Sequence, residues 1–204
     1  MKELKFETKE EWLQARRGRI TGTRLKDLIV KRGTGKKVGY YELIAERLGA
    51  PADEEDSMER GIRLEPEALL RFSKETGKKV KSGWVLWVRD DDESIALSPD
   101  GWISNKEAVE VKCLSSAMHI KAWLEQKIPS EGHYNYFEQV LQYFIVNDEL
   151  EILYFVFYDP RVLAKQYFVL EVKRIEVQEK VDEYLELEKE ILAEVNDIVS
   201  ELTF

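Results

Sequence analysis

Apolar positions in this chain change their spacing partway along. Up to about residue 76 they recur at the three- and four-residue intervals of helices, and from Trp84 onward they come in short runs bounded by turn residues, as in strands. Lys9 to Arg17 and Thr21 to Ile29 read as two short helices broken at Gly18, the second with Thr21 at its N-cap. Lys31 to Lys37 reads as a basic, glycine-containing loop. Tyr40 to Leu48 is predicted helical, ending at Gly49-Ala50-Pro51, and beyond the acidic turn at 52–57 a longer helix runs from Met58 to Thr76, with Gly77 as its C-cap. Strands follow at Trp84 to Val88, Ser94 to Leu97, Gly101 to Ser104 and Ala108 to Lys112. Amphipathic helices are predicted at Ser115 to Gln126 and Gly132 to Val146. A strand pair, Glu151 to Tyr158 and Gln166 to Val172, flanks the Asp159-Pro160-Arg161 turn, and Val177 to Leu202 forms a long acidic closing helix.

No repeat or linker divides the 204 residues. The expected architecture is therefore a single α/β domain, a central mixed sheet flanked by helices. Its expected parts are N-terminal helices to about residue 57, a core from about 58 to 173, and a C-terminal helix from about 174 to 204.

Charge changes this picture only locally. The net charge of −9 argues against a protein that coats nucleic acid through a general excess of Lys and Arg. The charge is uneven, however: residues 1–50 hold 13 Lys/Arg against 7 Asp/Glu, and residues 174–204 hold 3 against 10. A polyanion is thus expected to be met by the N-terminal third. One cysteine, Cys113, and two histidines, His119 and His133, give no zinc spacing, and these three are read as structural or surface residues. Apolar runs such as Ile152 to Tyr158 are too short to span a bilayer and no apolar leader opens the chain, so a cytoplasmic location without membrane association is expected.

The chemistry is concentrated in Ser98-Pro99-Asp100-Gly101 and, nine residues after Gly101, Glu110-Val111-Lys112. Two carboxylates on neighbouring strands can share a hard divalent cation through oxygen, with the Val111 carbonyl as a further ligand, and Mg²⁺ suits such a site. Alternation along a strand puts Glu110 and Lys112 on one face, so an ammonium lies beside the metal-bound water. That combination fits phosphodiester hydrolysis. Each piece also has an ordinary reading, since Ser-Pro-Asp-Gly makes a good turn and Glu-Val-Lys an ordinary strand with a solvated face. Their joint spacing on predicted strands favours the catalytic one.

These residues resemble the PD-(D/E)XK nucleases and, among them, the lambda-exonuclease and YqaJ-like viral recombinase family. The resemblance extends over Trp12, Arg16, Gly18 and Ile20-Thr21-Gly22-Thr23, then Gly61 to Glu65 with Ala68, Tyr136 to Gln139, and Tyr158-Asp159-Pro160-Arg161, all in family order. It implies a restriction-endonuclease-like core, with Asp100 and Glu110 as metal ligands and Lys112 as catalytic lysine. Glu65 would position water or a second metal, and Gln139 would bond the lysine or the scissile phosphate. It further implies a 5′-phosphate pocket of Arg16, Thr23 and Ser98, duplex contacts from Arg32, Lys36 and Lys37, and Met58 as an apolar wedge at the terminal base pair. Other readings stay open at several positions: Glu65 as a solvated helix acid, Gln139 as a satisfied buried amide, Arg16 facing water, the basic loop as merely solvated, and Met58 packing a helix start.

The activity implied is Mg²⁺-dependent 5′-to-3′ digestion of one strand of a duplex end, with two ions and Mn²⁺ as a substitute. The implied product is a 3′ overhang, handed to a single-strand-annealing recombinase by a homotrimeric ring. Another PD-(D/E)XK endonuclease and a non-enzymatic DNA-end-binding protein are the alternatives. Alanine at Asp100 or Lys112 is expected to abolish hydrolysis with little effect on folding, on the premise that both are solvent-accessible.

Overall fold

The structure, a computed structural model, describes residues 1–29, 40, 43, 59–114, 116–130 and 135–203. Arg32, Lys36, Lys37, Met58, His133 and nearly all of the helix expected from Tyr40 to Leu48 lie outside them. In chain order the described elements are β1 (Lys2–Lys5), α1 (Lys9–Arg16), α2 (Gly22–Leu28), α3 (Glu59–Thr76), β2 (Val85–Val88), β3 (Ala96–Leu97), β4 (Gly101–Ser104), β5 (Glu107–Lys112), α4 (Ser116–Glu125), α5 (Phe137–Val146), β6 (Ile152–Tyr158), β7 (Tyr167–Lys173) and α6 (Arg174–Leu202).

A mixed sheet, ordered β4-β5-β6-β7, forms the centre, with β5 and β6 parallel and the outer pairs antiparallel. Its two faces follow from strand alternation. Val109 and Val111 on β5, with Tyr154, Val156 and Tyr158 on β6, meet Leu64, Ala68, Leu69 and Phe72 of α3. The opposite face carries Ala108, Leu153, Phe155, Phe157 and Phe168 and is covered by α5 and α6 through Val140, Leu141, Phe144, Val181, Tyr184, Leu192 and Val195. Phe157 and Phe168 stack across the β6–β7 pair with centroids 4.5 Å apart. Among the described residues no helix is long and apolar enough to cross a membrane.

The expected central mixed sheet is present, but not all the predicted strands join it. β2 and β3 belong instead to a separate antiparallel sheet, ordered β1-β2-β3. Sequence patterning missed β1, because its KELK segment has a single partly buried apolar residue, Leu4, and the lysines that suit an exposed edge strand. The two sheets touch where Trp87 of β2 sets its ring edge-on to Trp102 of β4 at 6.4 Å; Lys81, ahead of β2, also bridges Trp102, and Trp87 meets Tyr143 of α5 at 6.2 Å.

A helix boundary also moves. The helix expected from Gly132 begins only at Phe137, because Tyr136 donates its backbone N–H to Pro129 O at 2.9 Å and Asn135 is not helical. Thr21 stands at the N-cap of α2, yet its side chain makes no capping bond.

Left-handed backbone at Gly18 (φ 70°) separates α1 from α2, and Gly77 (φ 71°) ends α3. Gly22 serves a different purpose. A Cβ there would come 2.8 Å from Leu97 Cδ1 and 3.2 Å from Gln139 Cγ, so close packing of α2 on α5 depends on its absence. Gly22→Ala is accordingly expected to cost about 1–3 kcal/mol of stability, as overpacked cores do. Thermal unfolding checks this; an unchanged midpoint would mean that Leu97 and Gln139 yield freely.

Candidate active site

The sheet register assembles the centre. Gly101 on β4 pairs with Val109 on β5, and one step further along this antiparallel ladder Asp100 falls opposite Glu110. Side chains so paired have Cβ atoms about 5 Å apart, which brings two carboxylates together. Gly101 itself is held tightly: a Cβ would meet Val80 Cγ1 at 2.7 Å and Leu69 Cδ2 at 3.1 Å. With β4 pairing at an end, the Val111 N–H is free to donate to Asp100 Oδ2 at 2.7 Å. A strand residue directs its N–H and C=O to the same edge, so the Val111 carbonyl also leaves on the Asp100 side.

Glu110 is 1% exposed and heavily bonded. Its Oε1 accepts from Lys112 Nζ and Gln139 Nε2, and its Oε2 accepts from the Tyr143 hydroxyl at 2.6 Å. Lys112, from the same strand face, also places Nζ 4.8 Å from the Tyr136 ring centroid. α5 thus supplies Gln139 and Tyr143 one turn apart, and its flank supplies Tyr136. The Tyr143 hydroxyl additionally accepts the Asp100 backbone N–H at 3.3 Å.

Glu65, half-buried on α3, lies within electrostatic reach. Burial raises its pKa to about 7, Glu110 adds to this and Lys112 opposes it. Asp100 is pushed well above the usual carboxylate range by burial, then by Glu110 and Glu65, against the pull of Lys112 and the Val111 N–H. Burial works against the Lys112 ammonium, but Glu110 and Asp100 hold it above its ordinary pKa. Burial, then Glu110 and Asp100, raise Tyr143 far enough to keep it a neutral donor.

Acids that repel one another inside a protein are a physical mark of a cation site. Among the described residues no three acidic, histidine or cysteine side chains close round one point as a complete metal cage. Asp100, Glu110 and the Val111 carbonyl make a partial set instead, which fits Mg²⁺, an ion that keeps several waters and takes one or two carboxylates together with substrate phosphate.

Arg16 points toward this centre. Burial lowers its pKa, the pull of Asp100 and Glu110 raises it, and Arg24 lowers it further, so all four groups share one neighbourhood. The Arg16 guanidinium lies 4.4 Å from the Trp12 ring centroid, and Trp12 Nε1 donates to Ser98 Oγ at 2.8 Å. Arg16 and Ser98 are therefore linked through Trp12. Thr23, the second residue of α2, is exposed.

Sequence reading gave Tyr143, Tyr136 and Arg24 no role in the site. Tyr143 follows Gln139 at i+4 and so shares its helix face, a signal that apolar patterning absorbs into the core. Outside this centre, His119 is buried and shares a hydrogen bond between Nε2 and Lys165 O at 2.8 Å, and Cys113 is partly buried.

Comparison with known proteins bears on the fold and the family. The family model of the YqaJ-like viral recombinase domain matches residues 11–149. The crystal structure of an alkaline exonuclease from Laribacter hongkongensis is similar at 28% identity and TM-score 0.79, covering 95% of each chain. Its complex with dAMP gives 28% and 0.78 over the same shares. A phage-related exonuclease from Haemophilus somnus 129PT, at 13% identity and TM-score 0.60 over 91% of this chain and 96% of that one, shares the fold. No curated protein matches in sequence. The mixed sheet with helices on both faces is the PD-(D/E)XK arrangement, and with two thirds of its length matched by the family model this chain belongs to the YqaJ-like viral recombinase family.

Proposed function

We propose that this chain is a divalent-metal-dependent exonuclease that digests one strand of linear double-stranded DNA from its 5′ end and leaves a 3′ overhang. The observation that carries the reading is the buried cluster in which Asp100 and Glu110 face each other across β4 and β5 with Lys112 on the same face. Asp100, Glu110 and the Val111 carbonyl would hold Mg²⁺, with Mn²⁺ able to replace it and Glu65 serving a second ion or a water. The cation, when bound, acidifies a water and offsets negative charge developing on the phosphate. Lys112, held as an ammonium by Glu110 and Asp100, would orient the nucleophile. Gln139 donates its amide N–H to the Glu110 carboxylate, where the resemblance implied a bond to the lysine or the scissile phosphate.

Arg16, Ser98 and Thr23 would form the proposed 5′-phosphate pocket; a guanidinium can grip phosphate bidentately, and Trp12 stacks on that of Arg16. Arg32, Lys36, Lys37 and Met58 would meet the duplex from the N-terminal third. A homotrimeric ring with a basic lining would reconcile the −9 charge with a polyanionic substrate and deliver the overhang to a single-strand-annealing recombinase in the cytoplasm.

Linear duplexes labelled at either end, compared with a closed circle, test this reading. Mg²⁺-dependent loss of the 5′ label with the circle left whole is expected; nicking of the circle would make the chain an endonuclease instead. A second expectation concerns the pocket. Arg16→Ala should lower activity about 10- to 100-fold on 5′-phosphorylated ends, in line with a lost charged contact of about 1.5–3 kcal/mol, and much less on 5′-hydroxyl ends. Equal losses on both would remove Arg16 from the phosphate pocket.

A further inference from the structure

Tyr143 stands where the two facing acids could be fixed by a single group. Its side chain is fully buried, with its ring set against Trp87. Its hydroxyl has one proton to give, and of the two acceptors in range, Glu110 Oε2 at 2.6 Å and Val109 O at 3.3 Å, the shorter contact to a charged oxygen takes it. The same oxygen accepts the backbone N–H of Asp100 at 3.3 Å, so one hydroxyl joins the β4 acid to the β5 acid.

A carboxylate offers about four lone-pair directions. On Glu110 two are filled at Oε1, by Lys112 and Gln139, and one at Oε2, by Tyr143. Among the described residues' bonds, the direction that remains is on Oε2. The hydroxyl that occupies its neighbour therefore sets where the vacant one points.

We infer that Tyr143 is a positioning residue for the metal site, orienting the free lone pair of Glu110 toward the ion that Asp100 shares. The inference rests on the reading of Asp100 and Glu110 as metal ligands. Hydrogen-bond partners of ligating groups typically change metal affinity by about 10- to 100-fold. Tyr143→Phe removes the hydroxyl and keeps the ring, so a role limited to packing against Trp87 would survive it.

Mn²⁺ binding, followed by electron paramagnetic resonance on wild type, Asp100→Ala, Glu110→Gln, Tyr143→Phe and the Glu110→Gln/Tyr143→Phe double variant, tests this directly. Expected are saturable binding in wild type, its loss in Asp100→Ala, and a 10- to 100-fold rise in half-saturating Mn²⁺ for Tyr143→Phe. In hydrolysis assays the Mn²⁺ requirement of Tyr143→Phe should rise by more than its turnover falls. The double variant should bind as Glu110→Gln does, because Tyr143 acts through that carboxylate. Wild type and Asp100→Ala alike in Mn²⁺ binding would overturn the metal site itself. Wild-type binding by Tyr143→Phe, with Asp100→Ala defective, would overturn this inference alone, and so would additive losses in the double variant. Should Tyr143→Phe fail to fold, 3-fluorotyrosine at position 143 provides a fluorine resonance that must move with the Mg²⁺ midpoint of hydrolysis; an unmoved resonance is equally fatal.

Discussion

Replacing Asp100 or Lys112 with alanine is expected to lower hydrolysis of linear duplex DNA by at least about 10²- to 10³-fold, the usual loss when one preorganised charge-stabilising group leaves a site. The two variants should differ in folding. At the sequence level both residues are taken as solvent-accessible, with little to lose from the core, but the side chain of Lys112 is only 14% exposed and its partner Glu110 1%. Removing the ammonium leaves Glu110 buried with only the neutral donors Gln139 and Tyr143, and breaking a buried pair typically costs about 3–5 kcal/mol. Removing Asp100 acts oppositely, since it relieves the burial and the repulsion from Glu110 and Glu65 that raise the Asp100 pKa. Without added metal, Asp100→Ala should therefore unfold no earlier than wild type at pH 8, and Lys112→Ala clearly earlier. Rates measured at saturating metal, beside melting curves in EDTA, separate the chemical loss from the folding loss. A Lys112→Ala protein that is folded and fully active would end the assignment.

Part of this centre could be read before any coordinates existed. Ser98-Pro99-Asp100-Gly101 and Glu110-Val111-Lys112 carry a local turn and a local strand, and the hairpin between them is short enough that register follows from adjacency. Gln139 and Glu65 came only from resemblance, because a helix face does not reveal which of its polar residues points toward a sheet 30 or 40 positions away. Tyr143 stayed hidden for a related reason. An aromatic among Val140, Leu141 and Phe144 contributes to the same apolar stripe whether or not its hydroxyl has a partner. β1 left almost no trace because its pairing depends on the β2 edge, not on its own apolar content. The division of the strands between two sheets was equally illegible, since it depends on long-range contacts such as the Lys81–Trp102 bridge and the Trp87–Tyr143 ring contact.

The second large effect concerns Glu188, an acid buried in the α6 face that packs on α5. Its Oε2 lies 3.4 Å from Gln142 Nε2, and that amide also reaches Ile20 O at 3.2 Å and Ala96 O at 3.4 Å, where the two chain segments meet. Among the described residues, Gln142 Oε1 and Glu188 Oε1 have no donor. Burial raises the Glu188 pKa to about 8, with Asp92 adding to the rise and the Gln142 contact and Arg89 opposing it. Below the ordinary value of 4.5 the acid is protonated in both folded and unfolded chains. As pH climbs toward about 8 the unfolded chain ionises first, so the stability that the neutral acid contributes is lost progressively across that window. At about 1.4 kcal/mol per pH unit the loss approaches about 4 kcal/mol, or on the order of 10 °C in Tm for a chain of this size. Glu188→Gln, neutral at every pH, should abolish that component. Melting curves of both proteins in EDTA at pH 5, 7 and 9 should diverge, with the variant ahead by the full amount at pH 9 and close to wild type at pH 5. Glu65 and Asp100 titrate identically in the two proteins, so the difference isolates position 188. Parallel curves would show that this carboxyl ionises as it does in water.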